Sequence, residues 1–255
     1  MRNLKSGDKD KGTPIVLPDT KRIWMACFVF GAVFWIIALI LWAQKGVDEA
    51  VLFYYNPMRM ALDPIVVLSK WLSSNGMAAI TILLVVYLIV SKKLKSFDAP
   101  LTVYFYTIFS FALSGIAGDL LKMVFARPRP AAAYGSEILA LSQAVTSAIP
   151  SGHATKSVAL ALPFILLVSH AKNLHKGMKI VIGLIAGGVC FSRIVLGAHY
   201  VSDVLAGIGT ALIGLPLSMM FANMLLRRMK QELLPRLSYV WGLLLVFLTW
   251  VFMSL

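Results

Sequence analysis

Long apolar blocks alternate along the chain with short polar segments that carry most of the positive charge. An α-helix needs about 20 apolar residues to cross about 30 Å of hydrocarbon. Stretches of that kind lie at 23–43, 73–91, 100–121, 154–171, 178–197, 204–226 and 237–254. The pattern predicts an all-α, polytopic membrane helix bundle with six core transmembrane helices and a seventh, 237–254, that could instead lie against the bilayer.

The polar segments divide the chain into a tail and one domain. Residues 1–21 are polar and are expected to form a cytoplasmic tail, followed by a single transmembrane domain over 22–255. The segment 44–72 mixes aromatic and charged residues, which is typical of an outer interfacial stretch with one or two short helices at headgroup depth. The block 73–91 is the weakest because it starts Ser-Ser-Asn-Gly.

Composition and charge placement support a membrane protein and set its orientation. Of 255 residues, 59% are apolar and 14% are charged, too few charges for the polar coat of a soluble protein. Sixteen of the 24 Lys and Arg residues fall in segments that share one side if the N-terminus is cytoplasmic. The net charge of +13 is then a topology signal, and no nucleic-acid partner is needed to explain it. Only two cysteines occur, so no disulfide framework is expected.

A first group of cations lies at the outer end of the third span. Lys122 is followed after six residues by Arg129-Pro130, and the prolines should end the helix and present Arg127 and Arg129 on a stiff extended stretch. Alternatively, Lys122 simply pairs with Asp119 one turn earlier and the arginines contact headgroups. Arg127 could also supply a further cation to a bulky substrate headgroup.

A second group opens the fourth span with the sequence Pro-Ser-Gly-His from position 150. Ser151 is a good N-cap residue, and Gly152 allows close approach to the free N–H groups of a helix start, which together favour anion binding. His153 follows directly. Lys156, one turn into the helix, could contact a substrate headgroup or extend to the interface. A lone His at an interface is, by itself, more often a headgroup contact.

A third group joins the fifth and sixth spans. Arg193 lies inside an apolar run, where a charge is costly unless it faces an anion or a polar cavity. His199 and Asp203 are four residues apart, so a helical turn would place the carboxylate against the imidazole, set its tautomer and raise its basicity. The alternative is an N-terminal helix cap beside a His whose hydrogen bonds are satisfied within the protein, which leaves Arg193 unexplained.

Alternating span directions bring all three groups to the outer side. The predicted pocket then combines two imidazoles, one of them backed by a carboxylate, with a helix N-terminus and three cations. Such a set suits phosphoryl transfer, in which stabilising the charged equatorial oxygens is the main task. No acidic residues fall at metal-ligand spacing, so we expect no metal and no cofactor.

These residues resemble the motif of the phosphatidic acid phosphatase type 2 superfamily, here called PAP2. That motif is Lys, six residues, Arg-Pro; then Pro-Ser-Gly-His; then Ser-Arg, five residues, His, three residues, Asp. The chain matches it without departure over 122–203, at Lys122, Arg129, Pro130, Pro150, Ser151, Gly152, His153, Ser192, Arg193, His199 and Asp203.

The resemblance implies a phosphohistidine mechanism without a metal. His199 would attack phosphorus, Asp203 would hold its imidazole, and His153 would protonate the leaving group. The groups expected to hold the phosphoryl oxygens are Lys122, Arg129, Ser151, Gly152 and Arg193.

The leading hypothesis is therefore a lipid phosphate phosphatase in a bacterial cytoplasmic membrane, with its site on the periplasmic or extracellular side. Lipid A phosphate, undecaprenyl diphosphate, phosphatidylglycerol phosphate and phosphatidate all fit the pattern. A lipid-to-lipid phosphotransferase would use the same first half-reaction. A haloperoxidase would need vanadate in the phosphate position, and a non-catalytic lipid or anion transporter would leave the His199–Asp203 pair without a role. The oligomeric state is not readable from the sequence.

Overall fold

The chain folds into long helices joined by short connections. The computed structural model describes residues 20–56, 63–93, 101–138, 146–168, 173–228 and 233–254. Within these ranges the helices are α1 (Thr20–Gln44), α2 (Gly46–Tyr55), α3 (Pro64–Lys93), α4 (Leu101–Phe125), α5 (Pro130–Tyr134), α6 (Gly152–Leu167), α7 (Asn173–Val195), α8 (Val201–Arg228) and α9 (Leu233–Ser254), with a 3-10 turn at Gly135–Glu137. No strand occurs in the described ranges, as the all-α prediction requires. Of the tail predicted at 1–21, residues 1–19 lie outside them.

Each of the seven predicted spans overlaps one helix of the structure. Five of these seven helices are long and apolar enough to cross a membrane: α1, α3, α4, α7 and α8. Helix α6 has 16 residues, a length of about 24 Å, which is shorter than the hydrocarbon core. The number of membrane crossings predicted from the sequence therefore stays a prediction, while the multi-pass helical architecture is confirmed.

The bundle is held together by a core that runs along its length. Its largest fully buried side chains include Tyr104, Phe111 and Phe164, and the Phe164 ring meets Tyr87 edge-on with centroids 4.9 Å apart. Conversely, large apolar side chains on the outer faces of α1 and α7, such as Phe30 and Leu184, are exposed. An outward apolar face over an apolar core is what a lipid-embedded bundle requires, because lipid replaces water around it.

Helix α9 packs within the bundle and runs antiparallel to α3. Thr249 is hydrogen-bonded to Thr81 with their hydroxyl oxygens 3.0 Å apart, and Gly242 faces Leu88 further along α3. Leu245 between them is buried. The two contacts lie seven residues apart on each helix, so α9 follows the bundle axis.

Helix α3 begins at Pro64, nine residues before the predicted span start at 73. The weakly apolar sequence there faces the bundle for specific reasons. Ser73 accepts a hydrogen bond from Arg193, and a Cβ at Gly76 would lie only 2.3 Å from Val189, so only glycine lets α3 and α7 approach this closely. Residues 64–72, predicted as part of the outer interfacial segment, therefore belong to α3.

Candidate active site

The three sequence groups meet at one end of the bundle, where α4 and α7 end and α6 and α8 begin. The backbone N–H of Ser151 donates to the carbonyl oxygen of Asp203 at 2.9 Å, which joins the starts of α6 and α8. Nη1 of Arg129 lies 3.3 Å from Nε2 of His199. A Cβ added to Gly152 would lie 3.0 Å from Nζ of Lys122. The helix connections therefore bring together residues from all three groups.

His199 lies in the short turn between α7 and α8 and is 1% exposed. Its backbone N–H donates to the carbonyl oxygen of Arg193, which ties the turn to the last turn of α7. Because an arginine can only donate, its contact with Nε2 of His199 requires a lone pair on that nitrogen. The proton of the neutral ring is then on Nδ1, and Nε2 is the nitrogen available as a nucleophile.

Asp203 faces the other ring nitrogen of His199. Its Oδ2 lies 3.4 Å from Nδ1, close enough for electrostatic attraction but without the geometry of a hydrogen bond. Oδ2 already accepts a hydrogen bond from the backbone N–H of Tyr200 at 2.9 Å. The predicted pairing of these two residues is therefore a contact between a carboxylate and the polar N–H of a neutral ring, and a small ring rotation would be needed to form the hydrogen bond.

Burial lowers the pKa of His199 well below its usual 6.5, and the cations Arg129, Arg193 and Lys122 lower it further. A backbone hydrogen bond involving Ala148 acts in the opposite direction. The net shift is opposite to the rise in basicity predicted from Asp203 alone, because the sequence could not reveal how completely the ring is buried among cations. The imidazole is neutral at neutral pH, the form in which it can attack.

The three motif cations are held in different ways. Lys122 donates to Oδ1 of Asp119 at 3.0 Å. Arg129 is gripped by Thr146, whose carbonyl oxygen and hydroxyl accept from Nε and Nη2 at 2.8 and 2.9 Å. Arg193 donates through Nη1 to Ser73, while its Nε is buried and has no hydrogen-bond partner among the described residues. A buried guanidinium N–H without a partner is costly unless an anion occupies the space beside it.

Ser151 and His153 supply the remaining predicted groups. Ser151 stands at the N-cap of α6, but its side chain makes no capping bond, contrary to the prediction, and its hydroxyl is buried without a partner in the described part of the chain. The hydroxyl thus stays available to a ligand. His153 lies on the first turn of α6 within electrostatic reach of His199, so the two imidazoles belong to the same site.

Arg127 does not play the role predicted for it. The sequence suggested that both arginines of this stretch are presented outward and that Arg127 contacts headgroups, but the side chains of Arg127 and Arg129 are only 6% and 8% exposed. Arg127 pairs with Asp203 at 2.7 Å and with Asp48 at 2.8 Å. Two carboxylates inside the protein attract this guanidinium more strongly than headgroups could, because the site is shielded from water.

Lys156 also points to a carboxylate. Its Nζ lies 3.8 Å from Oδ2 of Asp119, whose other oxygen binds Lys122, so Asp119 bridges two lysines. Asp119 is about half exposed, which leaves this pair of cations near the rim of the site. The headgroup contact predicted for Lys156 stays a prediction.

Sequence analysis missed three residues that build the site: Asp48, Ser73 and Thr146. Each belongs to a segment outside the motif and contacts a motif-region arginine through a hydrogen bond or ion pair. The one available signal was the pair of acidic residues, Asp48 and Glu49, in an otherwise apolar helix of the 44–72 segment. Nothing in the spacing indicated that α2 packs against the start of α8.

Comparison with known proteins agrees with the motif. Residues 103–228 match the model of the PAP2 superfamily, a range that contains every motif position. This part of the chain is therefore similar to the PAP2 superfamily. The resemblance predicted from the sequence is thereby confirmed, and helices α4 to α8 form the PAP2 unit, with α1, α2, α3 and α9 outside the matched range.

Two curated proteins are similar to part of the chain. An undecaprenyl-diphosphatase of Bacillus subtilis is 34% identical over 106 residues, covering 40% of this chain and 50% of that protein. A lipid A 1-phosphatase of Rhizobium johnstonii is 29% identical over 107 residues, covering 40% of this chain and 41% of that protein. The chain thus spans half the length or less of these relatives.

A solved PAP2 structure covers more of the fold. The transmembrane PAP2-type phosphatidylglycerolphosphate phosphatase of Bacillus subtilis superimposes with a TM-score of 0.55 at 21% identity, covering 81% of this chain and 98% of that chain. At this identity the similarity concerns the fold. It shows that the multi-pass PAP2 architecture extends beyond the matched motif region.

Proposed function

We propose that this protein is a membrane lipid phosphate phosphatase that works through a phosphohistidine intermediate. The observation that carries the proposal is the buried, neutral His199 at one end of a membrane helix bundle, whose Nε2 lone pair meets Arg129 and whose ring is also acted on by the charges of Arg193 and Lys122. A nucleophile among fixed cations is suited to an anionic phosphoryl group. The names of the PAP2 relatives point to the same class of reaction.

In the first step, Nε2 of His199 attacks phosphorus in line and the bond from phosphorus to the lipid oxygen breaks. The leaving oxygen takes a proton from His153, and the positive charge that develops on the His199 ring faces Asp203. In the second step, water attacks phosphorus, His153 takes its proton, the P–N bond breaks and inorganic phosphate leaves. Lys122, Arg129, Arg193, the Ser151 hydroxyl and the Gly152 N–H hold the equatorial oxygens throughout.

The position of the site suits a lipid substrate. It lies at the ends of the long helices, next to apolar faces that a bilayer would cover, so a headgroup could enter while the acyl chains stay in lipid. The bias of Lys and Arg toward the opposite loops supports a site on the outer side of a bacterial cytoplasmic membrane. Candidate substrates are lipid A phosphate, undecaprenyl diphosphate, phosphatidylglycerol phosphate and phosphatidate.

The test is phosphate release from these four lipids by the purified protein in detergent, with a chelator present. We expect turnover of at least one lipid by the wild type and none by His199→Asn. The matched control is His175→Asn, the same change at the opposite end of α7, which should retain full activity. If no lipid is hydrolysed, or if H199N is as active as the wild type, the proposal fails.

The same assay separates the alternatives. A donor lipid mixed with acceptor lipids would yield a phosphorylated lipid in place of free phosphate if the protein were a phosphotransferase. A transporter would move lipid between leaflets in proteoliposomes, and H199N would leave that movement intact.

Orientation has its own test. Tyr54 on α2 is 70% exposed near the site, and Arg228 is exposed at the other end of α8. In intact spheroplasts a membrane-impermeant maleimide should label Tyr54→Cys but not Arg228→Cys, and the two native cysteines are buried. The reverse labelling pattern would place the site in the cytoplasm.

A further inference from the structure

A closed network of charged groups lies behind the proposed nucleophile, and one of its two carboxylates comes from outside the PAP2-matched range. Asp203 uses its two oxygens for different purposes: Oδ2 faces His199 and Oδ1 accepts a hydrogen bond from Nη1 of Arg127 at 2.7 Å. Asp203 is 0% exposed, so this arginine is the cation that holds the carboxylate in place.

Arg127 is shared with a second carboxylate, Asp48 of helix α2. Its Nη2 donates to Oδ2 of Asp48 at 2.8 Å, and Asp48 is 1% exposed. The rings of Tyr200 and Trp42 lie over the guanidinium, with its central carbon 3.9 and 5.5 Å from their centroids. The aromatic cover keeps water away and strengthens every charge interaction inside.

Ser202 closes the network. Its backbone N–H donates to Oδ1 of Asp48 at 2.9 Å, its hydroxyl donates to Oδ2, and its hydroxyl oxygen accepts from Arg127 at 2.6 Å. Asp48 therefore receives hydrogen bonds from three donors, which suits a carboxylate that only accepts. Its contact with the Ser202 N–H also satisfies one of the free N–H groups at the start of α8, the helix that carries Asp203.

The charge balance of this network matters for the nucleophile. One guanidinium between two carboxylates leaves a net charge of −1, whereas Arg127 paired with Asp203 alone would leave none. The imidazole of His199 becomes positive when it bonds to phosphorus, so the negative charge behind it stabilises the transition state. Without Asp48, Arg127 would neutralise the negative charge of Asp203.

We propose that Asp48 is a positioning residue for the reaction: through Arg127 and Ser202 it orients Asp203 and keeps the group behind His199 net negative. This inference rests on the proposed phosphatase function. It assigns a role to helix α2, which lies outside residues 103–228 and was expected to lie at the interface.

The test compares Asp48→Asn with Asp48→Glu and with Glu49→Gln. Asn keeps the shape and one acceptor but loses the charge, while Glu keeps the charge. Glu49 is the neighbouring carboxylate and accepts a hydrogen bond from Tyr134 at 2.9 Å instead of from Arg127, so E49Q is the matched control. The readouts are kcat, KM, the pH profile of kcat/KM and the thermal unfolding midpoint in detergent.

We expect D48N to lower kcat about 10-fold or more with KM within about threefold, a loss typical of removing a partner that orients a reacting group. The acid limb of its pH profile, that is, the fall of kcat/KM at low pH, should move to lower pH, because one negative charge near the imidazole is lost. D48E should keep the wild-type acid limb and recover part of kcat, and E49Q should match the wild type. The charged and titratable groups that face His199, and that stay unchanged in these variants, are Lys122, Arg129, Arg127, His153, Arg193 and Asp203.

Failure of the inference is distinguishable from failure of the proposed function. If the wild type hydrolyses no lipid, the function is wrong. Two results with an active wild type would show that Asp48 is structural only. In one, D48N keeps the wild-type kcat and acid limb; in the other, D48N and D48E lose equal activity and neither acid limb moves. Should D48N not fold, the double variant D48N/R127Q removes both charges and restores the net −1, and replacing a buried pair is better tolerated than breaking it. Its acid limb should then match the wild type, and a limb at lower pH would overturn the charge argument.

Discussion

Adding a single carbon atom at Gly207 would force α6 and α8 apart, which tests how the site is assembled. In Gly207→Ala the new Cβ would lie 2.7 Å from the carbonyl oxygen of Ser151, 3.0 Å from Cβ of Ala154 and 3.1 Å from Oγ1 of Thr155. Ordinary contact begins at 3.4 Å, so the start of α6 must move away from α8 by about 0.7 Å. The closest obstacle is backbone, which cannot rotate aside.

That movement separates the proposed acid from the proposed nucleophile. His153 follows Ser151 on α6, while His199 and Asp203 move with α8. A misplacement of about 1 Å in a reacting group can cost about 100-fold in rate, and overpacking costs about 1–3 kcal/mol of stability. We therefore expect G207A to lower kcat by about 10- to 100-fold and to lower the unfolding midpoint.

Gly209→Ala is the matched control two residues further along α8. Its Cβ would meet the carbonyl oxygen of Gly31 and Cδ1 of Trp35, both at 2.8 Å, so it forces α8 away from α1 on the face opposite the site. The two variants should lose similar stability in a thermal unfolding assay, but G209A should keep most of its phosphate-release rate. Equal turnover by G207A and the wild type, or equal losses of turnover in both variants, would refute the reasoning.

Four further predictions follow from the site. The pKa of His199 is held well below 6.5 in the folded protein, so the acid limb of kcat/KM should lie below pH 6.5, and a limb above it would contradict the neutral nucleophile. His199 also destabilises the fold as pH falls below 6.5, because its imidazole then binds a proton in the unfolded chain but not in the folded protein. On acidification, the unfolding midpoint should therefore drop less in H199N than in the wild type. Lys122→Met should lower kcat/KM about 10- to 100-fold, because one cation that holds the phosphoryl oxygens is lost. Asp119→Asn frees Lys122 from an exposed ion pair and should therefore lower KM, by at most about fivefold. A rise in KM in D119N would show that the carboxylate helps binding. Vanadate should inhibit competitively with phosphate-like affinity or better and chelator should leave the rate unchanged, so loss of activity with chelator would contradict a reaction without a metal.

The apolar pattern was enough to predict the long helices, because membrane spans are encoded locally. Hydrocarbon satisfies no backbone group, so any block of about 20 apolar residues must form a helix. Helices α4, α7 and α8 lie close to the predicted 100–121, 178–197 and 204–226. The start of α3 was placed nine residues late, because Lys70 and Trp71 gave residues 64–72 the mixture of charged and aromatic side chains that is typical of an interface.

The motif spacing similarly indicated which groups meet. Lys122, His153 and His199 lie at helix ends that alternating directions must bring to one side, whatever the packing. The burial of Arg127 and the depressed pKa of His199 were not accessible in this way, since both depend on which charges and rings surround a side chain in three dimensions.

The sequence alone therefore settles the chemistry that is available: the apolar blocks, the side of the bundle on which they end, and the His, Lys and Arg groups carried there. Those properties follow from local composition and from the direction of each span. Only the tertiary structure decides how the charges are paired. Asp48 reaches Arg127 across 79 positions of sequence, and neither the period of a helix nor a short motif records a contact between elements so far apart.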